Sequence, residues 1–141
     1  MGDAAGGWSI QLEQHGEEIV AKEDWSSRKV QFSMGTPLRI GDVIVGTRGG
    51  EAALAHAVSM ETGKREWVQR GLGDATFVSG DGKIIFLDEN GKLGLATIHP
   101  DGMTIHSECQ VTERWSLTVP TLVGKTLYVR DRKHVLALDL G

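Results

Sequence analysis

The sequence predicts an all-β fold made of repeated units of short antiparallel strands. A short apolar run that ends in a glycine occurs three times, with Gly41, Gly80 and Gly124 as the final residues. A second β-rich run follows each glycine, and the period is about 40 residues. A period of this length, with three or four strands in each unit, is typical of propeller blades. We therefore predict a partial β-propeller of four-stranded antiparallel blades.

The first and last units are predicted to be partial blades. Residues 8–25 contain two strand-like runs on either side of a turn at Gly16, which indicates a hairpin. Residues 117–141 contain three strand-like runs, separated by a turn at Gly124 and a polar turn at 131–133. We therefore expect two strands in the first unit and three in the last.

The two central units are predicted to be complete four-stranded blades. The blade over residues 34–68 contains a tight turn at Gly63, where a hairpin needs a positive φ that glycine adopts without steric cost. The blade over residues 74–111 contains Asn90-Gly91, the strongest short hairpin signal in the chain. Residues 50–60 are rich in Ala and could form a helix, but the repeat register favours a strand. The chain 1–141 is thus expected to be a single propeller segment.

The composition argues against several classes of protein. The net charge is −4, and Lys and Arg form no basic stripe, so nucleic-acid binding is not expected. No apolar run reaches the roughly 18 residues of a membrane span. Cys109 is the single cysteine, which excludes an intramolecular disulfide and a cysteine-based zinc site. Residues 1–7 lack the basic region and apolar core of a secretory signal, so we expect no signal peptide in this chain.

No sequence motif indicates an active site. The chain has no Gly-rich phosphate loop, no Gly-x-Ser-x-Gly elbow and no His-Glu-x-x-His run. Asp88, Glu89 and Asn90 have the oxygen ligands that calcium prefers, but their position directly before Gly91 favours an ordinary turn. We therefore predict no catalytic residues and no metal ligands.

One segment resembles a known repeat motif. Residues 57–67, Ala-Val-Ser-Met-Glu-Thr-Gly-Lys-Arg-Glu-Trp, resemble the repeat motif of the PQQ-type (quinoprotein dehydrogenase-like) β-propeller repeat family. The motif's Gly, Lys and Trp are matched by Gly63, Lys64 and Trp67. Ser59 stands where the family has Asp, so we expect the turn hydrogen bond to be weaker or to be made by the Ser59 hydroxyl. The chain therefore resembles a C-terminal segment of about three to three and a half quinoprotein-like blades.

The resemblance implies roles for the tryptophans and for the chain as a whole. Trp25, Trp67 and Trp115 would occupy the structural tryptophan position of the repeat and pack one blade against the next. The family includes quinoprotein alcohol dehydrogenases and the propeller lipoprotein of the outer-membrane assembly machine, which implies an exported or periplasmic bacterial protein. Its dehydrogenases hold PQQ with calcium in the central funnel, and many have a vicinal disulfide that Cys109 alone cannot form.

Three functions are considered for such a segment. The leading interpretation is a non-catalytic propeller scaffold for binding or assembly, without a cofactor. The alternative is a fragment of a quinone (PQQ)-dependent oxidoreductase, which would bind PQQ with calcium. A partner-binding platform built on loops such as 48–53 is the third. Exposed strand edges predict self-association or pairing with the remainder of a longer propeller, so we expect that the chain is not a stable monomer.

Overall fold

The structure is a computed structural model that describes residues 6–50, 53–113 and 115–141. Residues 1–5 of the N-terminal segment and residues 51–52 of the predicted binding loop lie outside the described residues. Within the described residues the regular elements are β-strands: β1 (Gly7–His15), β2 (Glu18–Ser27), β3 (Leu38–Ile40), β4 (Val43–Arg48), β5 (Leu54–Ser59), β6 (Arg65–Arg70), β7 (Ala75–Gly80), β8 (Lys83–Asp88), β9 (Lys92–His99), β10 (Gly102–Gln110), β11 (Thr121–Val123), β12 (Thr126–Arg130) and β13 (Val135–Asp139).

The strands form four antiparallel sheets that follow one another along the chain. The first sheet is β1–β2, the second is β3–β6, the third is β7–β10 and the fourth is β11–β13. In each sheet every strand pairs with its neighbour in sequence, which is the meander of a propeller blade. The predicted fold class, an all-β partial propeller with four-stranded blades, is confirmed.

In the second, third and fourth sheets the turn between the first two strands begins at a residue with positive φ. Gly41 and Gly124 follow β3 and β11 with φ of +57° and +58°. In the third sheet Asp81, with φ +51°, holds this position, and Gly80 is the last residue of β7. Aspartate adopts the left-handed region more readily than most residues, so the turn forms one residue later than the glycine pattern predicts.

The innermost strands are shorter than predicted. The apolar runs that open the units at residues 34 and 117 predict strands up to Ile40 and Val123, but β3 and β11 contain three residues each. The residues before them cross between sheets, and Ser33 N donates to Thr47 O at 2.9 Å beside the end of β4. The Ala-rich segment forms the strand β5 over Leu54–Ser59, as the repeat register predicts.

Two apolar clusters hold the stack together. The cluster between the second and third sheets includes Trp67, Phe77 and Phe86. The cluster between the third and fourth sheets has Leu87, Leu127 and Val129 at its centre. The second, third and fourth sheets are therefore packed face to face in chain order. Within the described residues no helix has the length and hydropathy needed to cross a lipid bilayer.

Candidate functional site

The outer strands of the first three sheets share a β-bulge at the same place in the ladder. The bulge lies directly before Trp25 in β2, Trp67 in β6 and Ser107 in β10. A bulge inserts one extra residue and re-aims the side chain beside it. The three side chains therefore occupy equivalent positions, and Ser107 stands where the other two sheets have tryptophan.

Trp25 joins the first sheet to the second. Its Nε1 donates a hydrogen bond of 2.7 Å to the carbonyl oxygen of Met60. The indole covers the turn at Gly63, where a Cβ would lie 2.3 Å from Cε3 of Trp25. Gly63 also has φ +65°. Glycine is thus required here both by the backbone of the turn and by the ring that lies on it.

In the turn around Gly63, the side chain that accepts a backbone hydrogen bond is the hydroxyl of Ser59. The Ser59 hydroxyl accepts a hydrogen bond of 3.2 Å from Thr62 N. Lys64 contributes its main chain, because its N donates to the Thr62 hydroxyl at 3.3 Å and its carbonyl accepts from Ser59 N at 2.8 Å. The expected hydrogen bond between the Ser59 hydroxyl and this turn is confirmed.

Aspartates close the turn between the second and third strands of the third and fourth sheets. Asp88 Oδ1 accepts hydrogen bonds of 2.9 Å from Asn90 N and from Lys92 N. Asp131 accepts two backbone hydrogen bonds of 2.7 Å, and these bonds are the main cause that lowers its pKa to about 2. The polar cluster at 88–90 is therefore a turn. Across the described residues no group of three or more His, Cys, Asp or Glu side chains is placed to hold a metal ion.

Gly91 lies between this turn and the end of β10. Its φ is +84°, and a Cβ would lie 2.2 Å from the carbonyl oxygen of Thr112. Its own carbonyl accepts a hydrogen bond of 3.0 Å from Val111 N. The hairpin residue predicted from Asn90-Gly91 thus also anchors the chain as it leaves the outer strand.

Trp67 fills the space between the second and third sheets. Its side chain is buried, with 7% exposed, in the same cluster as Met103 at the start of β10. Its Nε1 has no hydrogen-bond partner among the described residues. Trp67 therefore contributes apolar area to the interface, whereas Trp25 contributes a hydrogen bond as well.

Trp115 does not occupy the position of Trp25 and Trp67. It lies outside the strands, in the connection between β10 and β11, with φ +74° and 37% of its surface exposed. Its backbone N donates to the carbonyl of Glu89 at 2.6 Å. The Arg132 guanidinium carbon lies 5.3 Å from the ring centroid, in cation–π range. The equivalent position in the third sheet belongs to Ser107, which the spacing of tryptophans in the sequence does not reveal.

His56 is the buried titratable side chain of the second sheet. It is 1% exposed and stacks on Phe32, with ring centroids 4.7 Å apart. Neither ring nitrogen has a hydrogen-bond partner among the described residues. Burial, and next the positive charges of Arg65 and Arg48, lower the pKa of His56 from 6.5 to about 4. The imidazole is therefore neutral at physiological pH.

A cavity opens beside Ser107, between the third and fourth sheets. Its volume is about 400 Å³. Cys109, which lies two residues further along β10 and is exposed, lines it together with Ser107. Leu127 and Leu140 line it from the fourth sheet and the residues after β13. The position that tryptophan fills in the first two sheets is thus open in the third.

The two ends of the stack expose apolar sheet faces. The first terminal face, on the first sheet, is formed by alternate residues of β1 and one residue of β2, which are 48–69% exposed: Trp8, Ile10, Leu12 and Ile19. The fourth terminal face, on the fourth sheet, is formed by residues that are 42–73% exposed: Val123, Tyr128 and Val135. Cross-strand partners and alternate residues of a strand point to the same side of a sheet, so the residues of each set share one outward side of their sheet.

The four successive meanders, with a bulge at the equivalent place in the first three, define a partial β-propeller. Among solved structures the chain is similar to BamB from Moraxella catarrhalis, with a TM-score of 0.61 and 15% sequence identity. The match covers 94% of this chain and 43% of the BamB chain, so the chain spans less than half of that protein. At this identity the likeness shows the fold alone. No protein-family model matches the sequence, and no curated protein matches it either.

Proposed function

We propose that this chain is a non-catalytic β-propeller scaffold segment of the PQQ-like repeat type, and that its two terminal faces bind further blades. The blades come from a second copy of the chain or from additional polypeptide of the same repeat. The observation that carries the proposal is the pair of exposed apolar faces at opposite ends of the stack.

The interior interfaces provide the reason for this assignment. Between the second and third sheets, and between the third and fourth, apolar side chains from both sheets are buried. In a closed propeller every sheet is covered in this way on both sides. Within the described residues nothing packs on Leu12 or Val135, which are 69% and 73% exposed. Contiguous exposed apolar surface of this kind marks a protein contact.

The two terminal faces are unlike each other, so contact between copies would be head to tail. The fourth terminal face of one copy would pack on the first terminal face of the next. Such heterologous contacts generate either closed rings or open filaments. Propeller curvature favours a ring, because each blade is rotated relative to its neighbour about a common axis.

The repeat type and the compartment are supported by separate observations. The segment 57–67 matches the PQQ-type repeat motif, and its turn is closed by Ser59 at the position of the family's Asp. The fold is shared with BamB. Both fit the exported or periplasmic location that the resemblance implies, which fractionation of the source bacterium would test.

Molar mass in solution tests the assembly part of the proposal. We expect light scattering behind size exclusion, at protein concentrations from about 1 to 100 µM, to give a discrete oligomer. Leu12→Lys on the first terminal face and Val135→Lys on the fourth should each give monomers. Val68→Lys on β6, at a residue that is 45% exposed and outside both faces, is the matched control and should still assemble.

A mixing experiment tests the head-to-tail arrangement. Leu12→Lys retains an intact fourth terminal face, and Val135→Lys retains an intact first terminal face. An equimolar mixture should therefore form a 1:1 dimer although neither variant associates alone. A wild-type chain that stays monomeric at every concentration contradicts self-association.

The non-catalytic part is tested by titration with PQQ and calcium. We expect no saturable quenching of tryptophan fluorescence in the micromolar range. Saturable quenching would instead support the oxidoreductase alternative.

A further inference from the structure

We propose that the cavity beside Ser107 is a binding site for a neutral, planar aromatic molecule of indole size that carries an N–H donor. The bulge places Ser107 at the ladder position that Trp25 and Trp67 hold in the preceding sheets. In those sheets the protein supplies the aromatic ring itself. In the third sheet the same place is a cavity of about 400 Å³.

The hydrogen-bond acceptor of the missing ring is also present. Trp25 donates to the carbonyl of Met60, which lies three residues after Ala57. Ala137 of β13 and Ala57 of β5 hold equivalent positions in their sheets. Each pairs with the third residue of the preceding strand, Ala137 with Tyr128 and Ala57 with Val45. Leu140, three residues after Ala137, therefore corresponds to Met60, and it lines the cavity. An N–H on the bound ring can donate to the Leu140 carbonyl as Trp25 donates to that of Met60.

The walls of the cavity fit an apolar ring. Ile85, Leu93 and Leu127 line it and also belong to the cluster between the third and fourth sheets. The cavity is thus a continuation of an interface that already buries apolar side chains. Its size lies within the range of small-molecule sites, which combine apolar walls with a few polar groups. The Ser107 hydroxyl supplies a polar group, and the apolar walls disfavour a charged ligand.

Cys109 gives a direct readout of occupancy. It is exposed, lines the cavity on the same strand as Ser107, and is the single cysteine of the chain. The alkylation rate of the full chain by iodoacetamide would be measured against increasing indole. We expect saturable protection of at least about fivefold, with a dissociation constant in the submillimolar range for a ligand of this size. An alkylation rate that indole does not change overturns the proposal.

Variants of β10 locate the site. Ser107→Trp places an indole of the protein in the cavity, so free indole should bind at least about tenfold more weakly. Thr104→Trp adds the same ring at an exposed position of β10 that does not line the cavity, and it should bind indole like wild type. Equal binding by wild type and Ser107→Trp contradicts the assignment.

A ligand series tests the site without changing the protein. 1-Methylindole has the same rings but no N–H, so it should protect Cys109 several-fold less well than indole if the Leu140 carbonyl accepts the hydrogen bond. Indole-3-acetate, whose carboxylate would have to be desolvated against the apolar walls, should also bind more weakly. Protection that is equal for all three molecules overturns the assigned chemistry of the site.

Discussion

The second and third sheets meet in a closed interface, whereas the third and fourth sheets meet in an open one. Trp67 and Phe86 are buried in the closed interface, with 7% and 0% exposed. In the open interface Leu127 is fully buried, but a cavity of about 400 Å³ remains beside it. In both interfaces the preceding sheet has the bulge on its outer strand, but the sheet packed against it has four strands in the closed interface and three in the open one. The residue type after the bulge, Trp or Ser, and the number of strands in the opposite sheet therefore distinguish the closed interface from the open one.

The comparison separates the contribution of the backbone from that of the side chain. The bulge fixes where the side chain of the outer strand points, and this holds whether the residue is Trp67 or Ser107. The indole then supplies the buried area that completes the packing. The same bulge can thus lie beside a packed aromatic ring or beside a cavity.

Removal of the indole from the closed interface should have the largest effect. We expect Trp67→Ala to lower the free energy of unfolding by about 3–5 kcal/mol, because a buried aromatic ring is replaced by a void. Urea denaturation measures the loss. Trp67→Phe should cost clearly less, since Nε1 of Trp67 has no hydrogen-bond partner among the described residues. Similar losses for both variants would show that the ring does not act through packing.

The second sheet should carry a pH dependence of stability through His56. The pKa of His56 is about 4 in the folded chain, against 6.5 for the free side chain. The unfolded state therefore binds a proton as the pH falls below 6.5 while the folded state does not, so stability is full above that pH. We expect about 3 kcal/mol to be lost between pH 6.5 and pH 4.

His56→Phe provides the comparison for this prediction. Phenylalanine retains a ring against Phe32 and has no proton to bind, so the loss between pH 6.5 and pH 4 should shrink by the same amount. Urea denaturation at a series of pH values measures both chains. Parallel curves for wild type and His56→Phe would mean that His56 does not contribute to the pH dependence.

Filling the open interface should have the smallest effect. Ser107→Trp should raise the free energy of unfolding by about 1–2 kcal/mol, because the ring buries apolar area in a cavity that already exists. The midpoint of thermal unfolding should rise accordingly. Thr104→Trp, outside the cavity, should leave the midpoint near that of wild type. A drop in stability for Ser107→Trp alone would mean that the cavity is too narrow for an indole.

The fold is predictable from the sequence because it depends on local signals. Alternating apolar residues and turn glycines such as Gly41 and Gly124 define the strands and their order. The glycine pattern is wrong by one residue only at Gly80, where Asp81 adopts the positive φ instead. Such an exchange between glycine and aspartate leaves little trace in a single sequence, since both residues are common in turns.

The candidate sites are less predictable because they depend on bulges and on missing side chains. No residue type marks the bulge before Ser107, so its equivalence to Trp67 appears only in the strand register. The Trp spacing points instead to Trp115, which lies in a connecting segment. The burial of His56 has a signal, because it lies within a run of apolar residues in β5, but its stacking on Phe32 joins two distant segments.

The bulges also determine where the protein can be extended by another strand. A regular edge strand presents an evenly spaced row of backbone donors and acceptors, and an irregular one does not. The outer strands β2, β6 and β10 all carry the irregularity, whereas the pairs β11–β12 and β12–β13 run without a register shift. The bulged outer strands are therefore protected against unwanted β-pairing with other chains, whereas β13 is a regular outer edge that can template one more strand.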